Sequence, residues 1–131
     1  MNKKRLSIPV LFGWVALISS CGSDNTAGGT PTPTPTPVSS ITLTLTGSGV
    51  SPKTATVSEG AEVTFLNSDS VSHDMASDPH PMHTDCPELN GSTIGPSGSR
   101  SVTMASRSET CGFHDHLNPG TAAFQGTITV Q

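Results

Sequence analysis

All five histidines of the chain, His73, His80, His83, His114 and His116, and two of its three cysteines, Cys86 and Cys111, lie between positions 73 and 116. Imidazole and thiolate are the side chains that hold borderline and soft transition metals. A scatter of surface histidines would not leave 39–72 and 117–131 empty, so the segregation points to a metal site. The residues fall into two runs. Cys111-Gly112-Phe113-His114-Asp115-His116 reads Cys-x-x-His-x-His, in which two ligands three apart on a loop converge by local geometry. Ser77-Asp78-Pro79-His80-Pro81-Met82-His83-Thr84-Asp85-Cys86-Pro87 repeats a ligand type at every third position, through His80, His83 and Cys86. Its three prolines oppose a regular helix, leaving either an additional ligand loop or a turn-rich lid. His73 must arrive from a separate strand. Asp74, Asp85 and Asp115 adjoin or lie near these candidates, where carboxylates can orient imidazoles. Met75, Met82 and Met104 offer thioethers, although a strand Met is more often core filler.

Nothing in the chain has the spacing of a nucleophile elbow, a phosphate loop or a catalytic carboxylate pair, and no enzyme is expected. Of its six Lys and Arg residues, Lys3, Lys4 and Arg5 sit in the first five positions. Lys53, Arg100 and Arg107 then stand against ten carboxylates, which excludes a nucleic-acid surface.

The elements that must position the site begin after an address. A basic Met1–Arg5 segment precedes an apolar stretch from Leu6 to Ile18, too short and wrongly flanked to span a bilayer stably. Ile18-Ser19-Ser20-Cys21 resembles the bacterial lipobox, which implies a signal peptide over 1–20 and lipidation at Cys21. Gly22 rather than Asp follows, so retention at an inner membrane is not signalled. The expected location is the bacterial envelope, anchored by lipid at the periplasmic face or cell surface, on the outer membrane in a diderm. With Cys21 lipidated, Cys86 and Cys111 are the only thiols in an oxidising compartment, where they can also pair as a disulfide. Residues 21–38 carry the lipidated Cys and a linker. The repeat Thr30-Pro31-Thr32-Pro33-Thr34-Pro35-Thr36-Pro37 predicts an extended spacer with no core, reaching about 25 Å.

From Ser39 to Gln131 the period is two. Ile41, Leu43 and Leu45 alternate with threonines, as do Ala55 and Val57, and Ala61, Val63 and Phe65 alternate with Glu62 and Thr64. Further strands are predicted over 71–76, 100–105, 108–113 and 126–130. Little or no helix is expected beyond a turn within 78–97. Short strands separated by Gly, Pro, Ser and Asn predict an all-β, antiparallel Greek-key sandwich over 39–131.

The residues that carry a family likeness are His73, following Asn67-Ser68-Asp69, then Cys111-Gly112-Phe113-His114, then the strand opened by Gly126. In this order they resemble the cupredoxins, the blue-copper family. There an early His is followed by a strand ending in Cys-x-x-His and by a Met two residues before the Gly of the last strand. The resemblance implies a copper site with Cys111 thiolate as electron conduit and His73 and His114 as imidazole ligands, a trigonal set suited to both copper oxidation states. It departs at the axial position, where Phe124 stands and no Met follows Cys111. His116 is then a candidate for the open position or for a solvent-exposed gate. Plant members carry a structural disulfide toward the copper loop, but through a Cys distinct from the ligand. Here a Cys86–Cys111 bridge would abolish the thiolate and leave a His cluster for copper or zinc.

Three functions follow in order of expectation. The first is a monomeric, membrane-anchored one-electron carrier that meets a redox partner, its acidic surface suited to a basic one. The second is a copper-handling or zinc-binding lipoprotein with a His-rich site, exchanging metal with a donor or acceptor. The third is a metal-free adhesive sandwich.

Overall fold

The computed structural model describes residues 33–131. The expected leader, Cys21 and the linker as far as Thr32 lie outside the described residues. Seven strands account for nearly all regular structure among the described residues: β1 (Val38–Thr46), β2 (Gly49–Ser51), β3 (Thr54–Asn67), β4 (Met75–Ser77), β5 (Ser99–Thr103), β6 (Glu109–Asp115) and β7 (Gly126–Val130). Two single 3₁₀ turns, Pro87–Leu89 and Ala122–Phe124, are the helical content of the described residues.

Period-two alternation works as the sequence predicts. Leu43 and Leu45 of β1, Val57, Val63 and Phe65 of β3, and Ile128 and Val130 of β7 are buried, with Thr and Glu between them on the outer faces. Each large side chain so buried contributes about 1.5 to 3 kcal/mol relative to exposure. Phe65 and Phe113 meet edge to face at the centre, their ring centroids 5.7 Å apart. Met75 and Met104 are buried with them, as core filler.

The strand order β2-β1-β3-β7-β6-β4, with β5 against β3, is mixed rather than wholly antiparallel. β1 and β7 each run parallel to β3. The long β3 makes this possible by serving both layers of the sandwich. Its first half, Thr54–Val57, pairs with β7, and its second, Glu62–Asn67, pairs mainly with β1 and, over Glu62–Leu66, with β5. Between the halves Gly60 takes φ +72°, a left-handed conformation that glycine adopts without a Cβ penalty. The expected strand over 71–76 is displaced. Val71 is exposed, His73 makes an isolated antiparallel bridge to Ile94, and the strand itself is Met75–Ser77, antiparallel to the end of β6.

The 78–97 insert is pinned to this frame by polar bonds. Arg100, on β5, donates to the carbonyls of Ser92, Met75 and Leu89. Glu88 accepts the Ala105 amide at 2.9 Å and pairs with Arg107 at 3.0 Å. Burial pushes the Glu88 carboxyl up, but the Ala105 amide, its own amide and the Arg107 guanidinium outweigh this and hold it below its ordinary value of 4.5. A carboxylate with a depressed folded pKa stabilises fully above its unfolded pKa and loses that contribution as pH falls through the folded one. Glu88→Gln is therefore expected to lower the unfolding free energy by about 1.5 kcal/mol at neutral pH. The gap to the parent should close in acid below the unfolded Glu pKa; urea unfolding as a function of pH checks both the size and the sign.

Candidate metal centre

β6 decides which ligands can meet. The sequence ends this strand at Phe113 and puts Cys111 and His114 near a loop, but the strand runs on to Asp115. Successive strand side chains point to opposite faces. Cys111, Phe113 and Asp115 therefore share the core face, while Gly112 and His114 share the other with the following His116. Three residues of spacing separate Cys111 from His114 instead of joining them.

On the outer side the 78–83 segment folds over β6. Asp78 donates its amide to the Gly112 carbonyl at 2.9 Å, and the Asp85 amide returns to the Asp78 carbonyl at 2.9 Å, closing a loop around His80 and His83. This brings one nitrogen from each of His80, His83, His114 and His116 within 4.8 Å of one another. His83 Nε2 and His116 Nδ1 are 3.2 Å apart. Two nitrogens at about 2.0 Å from a tetrahedral ion lie about 3.3 Å from each other, so this pair already has ligand-pair spacing. His114 is buried, and its Nδ1 faces Asp78 Oδ1 at 2.6 Å. Its Nε2 is buried with no hydrogen-bond partner. A buried polar atom left unpaired is unfavourable by about 1 to 3 kcal/mol, which ligation would remove. His83 adopts φ +51°, a left-handed conformation uncommon outside glycine, and its carbonyl is held by Asn90 Nδ2 at 2.9 Å. Partial burial, then His116, His114 and His80 in turn, hold the His83 pKa below its ordinary value. His83 thus resists protonation and keeps a lone pair available.

Beneath the strand, Cys111 and Cys86 form a disulfide, Cα–Cα 5.6 Å, both residues fully buried. Glu109 Oε1 lies 3.0 Å from Cys86 Sγ. Neither sulfur is free to act as a thiolate ligand, so the geometry does not assemble the expected Cys111 centre and withdraws Cys86 from the ligand loop. His73 is also apart from the quartet. Its Nδ1 meets Asp115 Oδ2 at 3.0 Å, its Nε2 meets Asp69 Oδ2 at 3.3 Å, and its ring packs on Phe124 at 4.4 Å between centroids. Of the seven residues singled out in the sequence, the structure unites His80, His83, His114 and His116. It leaves Cys86, Cys111 and His73 in structural contacts.

Searches with family models and among curated proteins find no match. Among solved structures, the oxidised plastocyanin of Dryopteris crassirhizoma aligns at TM-score 0.58 and 18% identity, over 70% of this chain and 100% of its own. A purple cupredoxin from Nitrosopumilus maritimus aligns at TM-score 0.58 and 16% identity, over 69% and 98%. A Cu(I) form of a P52G mutant of amicyanin aligns at 0.56 and 16%, over 73% and 86%. The fold is that of the cupredoxins.

In the cupredoxin pattern a Cys-x-x-His closes the penultimate strand. The strand of this chain closes at Asp115, and the residue three further on is Asn118. Asn118 Nδ2 donates to Asp115 Oδ2 at 3.1 Å, the same oxygen that His73 meets. With Phe124 two residues before Gly126, the strand-end position is filled by His73, Asp115, Asn118 and Phe124. They bond to or pack on one another, and the imidazole quartet lies on the other face.

Sequence reading passed over Asp78, Gly112 and Asn90. Asn90 gave no signal for its place, where its side chain accepts the Ser77 amide and donates to the His83 carbonyl. Asp78 had only its place, two residues before His80.

Proposed function

We propose that this chain is a copper-binding envelope protein whose metal is held by His80, His83, His114 and His116. The observation that carries the proposal is the convergence of four imidazoles on one point, one of them with a buried and unpartnered Nε2. The likeness to plastocyanin and amicyanin supports copper over zinc, and imidazole suits either. When bound, copper would supply a centre able to take two oxidation states. The chain supplies a frame in which one ligand lies at the end of β6, one just beyond it, and two on the loop clasped to it. His80 is exposed and His83 and His116 are half-buried, so the ion is reachable from solvent. That favours storage and handover of copper between a donor and an acceptor. Lipidation at Cys21 and the Thr-Pro spacer would hold the domain clear of the membrane. The fold likeness supports a second reading, electron transfer with a redox partner through the same all-imidazole centre. A metal-free adhesive module leaves the four convergent imidazoles without a role.

Copper(II) titration of the full-length chain in detergent tests this. The expected complex forms at one equivalent, with only weak visible absorption and nitrogen hyperfine structure in its electron paramagnetic resonance spectrum. Cys111→Ser should leave that spectrum unchanged, and His114→Ala should weaken binding by about 100-fold or more. An intense thiolate-to-copper band that disappears in Cys111→Ser would overturn the quartet in favour of a thiolate centre. Fast, fully reversible reduction without release of copper would favour the electron carrier over the handover protein.

A further inference from the structure

We infer that Asp78 is the positioning residue of this centre: its carboxylate selects the His114 tautomer that turns Nε2 to the metal, and Gly112 is the residue that admits it. The inference rests on the quartet reading and deepens it. A neutral imidazole carries one proton, and the nitrogen without it is the one that can ligate. At His114 the choice is made by a carboxylate oxygen 2.6 Å from Nδ1, which an N–H satisfies and a lone pair does not. The proton therefore sits on Nδ1, which leaves the buried Nε2, without a hydrogen-bond partner in the protein, as the lone-pair nitrogen His114 can offer to the quartet. A carboxylate behind a ligating imidazole also raises its basicity and fixes its ring.

Asp78 is held for this task from three sides. It follows β4 directly, its amide bonds to Gly112 of the neighbouring strand, and its carbonyl receives the Asp85 amide. Its carboxylate lies across Gly112 in the space a side chain would need; a Cβ built there would collide with it. Gly112 does not have a left-handed backbone, so its lack of a side chain serves this close approach. His114, two residues along the same face, is then directly in reach. Asp78 is about two-fifths exposed and bears no core, so its removal should spare the fold.

Long-range proton–nitrogen correlation of the histidine rings in the metal-free, unaltered protein tests the tautomer without a substitution. The expected result is a proton on His114 Nδ1 and a bare Nε2, whereas a proton on Nε2 overturns the inference. In Asp78→Asn the amide can present N–H to Nδ1 and drive the proton to Nε2. Affinity for copper(II) alone, and separately for zinc(II) alone, is expected to fall about 10- to 100-fold with an altered copper spectrum and an unchanged thermal midpoint. Gly112→Ala should produce the same loss by displacing the carboxylate. Asp78→Glu should recover part of it, which a merely structural role would not predict. Unchanged affinity in Asp78→Asn, with binding abolished in His114→Ala, would overturn the role of Asp78 and keep the quartet. Unchanged affinity in both would remove the quartet itself.

Discussion

Replacing Cys86 and Cys111 together by alanine is expected to lower the unfolding free energy by about 3.5 kcal/mol. The bridge closes a loop of sequence separation 25, and cross-linking a loop of that length removes chain entropy of this size from the unfolded state. For a domain of roughly 100 residues the thermal midpoint should drop by roughly 20 °C. The loop is also the piece that matters. It begins within the insert that carries His80 and His83 and ends on the strand that carries His114 and leads into His116, so the bridge staples the two halves of the quartet. Reduction of the parent protein by a dithiol should reproduce the alanine pair, since each removes the same constraint. A difference below about 1 kcal/mol in urea unfolding would mean that the insert is held by other bonds. The Asp78–Gly112 and Asn90–His83 contacts are the ones that could do so. Metal binding is expected to survive in the alanine pair at a temperature where it is folded, because both cysteine sulfurs lie in the buried disulfide and neither is a ligand of the quartet.

That outcome separates what the sequence shows from what it hides. Alternation of Leu, Val and Phe with Thr identifies β1, both halves of β3, and β7, because a half-buried strand writes its faces into every second residue. The clustering of His between 73 and 116 likewise points to the stretch of chain from which the candidate site is built. What local pattern does not encode is where β6 stops. Ending it at Phe113 makes Cys111 and His114 partners on a loop. Extending it by two residues, to Asp115, puts them on opposite faces and pairs His114 with His116 instead. The alternation of Cys111, Phe113 and Asp115 is present in the sequence, but Asp at an inward position looks like a strand end until its partners are known. Those partners, His73 and Asn118 among them, come from 42 residues before and three after. The parallel pairing of β3 with β1 and β7 is equally silent, since it depends on β3 bending at Gly60 to serve two layers. The insert is legible in kind and not in shape. Its prolines oppose a regular helix, yet the left-handed turn at His83 and the return of Cys86 beneath β6 are set by tertiary bonds.

Asp115→Ala is expected to be the most damaging single substitution away from the metal centre, lowering stability by about 4 kcal/mol. The carboxylate is fully buried, and four donors converge on it: the Asp74 and Leu117 amides at 2.9 and 3.2 Å on Oδ1, and His73 Nδ1 and Asn118 Nδ2 at 3.0 and 3.1 Å on Oδ2. Burial pushes the Asp115 carboxyl up, but the Asp74 amide, His73, Asn118 and the Leu117 amide together hold it below its ordinary value. Alanine would strand all four donors at once, and a domain of this size has only about 5 to 15 kcal/mol in total. Asp115→Asn keeps the shape and one acceptor oxygen while turning an N–H₂ toward donors on the other side. A loss near half that of alanine, about 2 kcal/mol, is therefore expected. Urea midpoints for the two variants measure the ratio. Equal losses would show that shape rather than acceptor capacity is what Asp115 supplies, and a loss below about 1 kcal/mol in both would show the network to be solvated. The expected ratio bears on function as well. If the carboxylate holds His73 and Asn118 by hydrogen bonds alone, the strand-end position is fastened shut by its own side chains, and the imidazoles of the opposite face are left as the metal-binding groups.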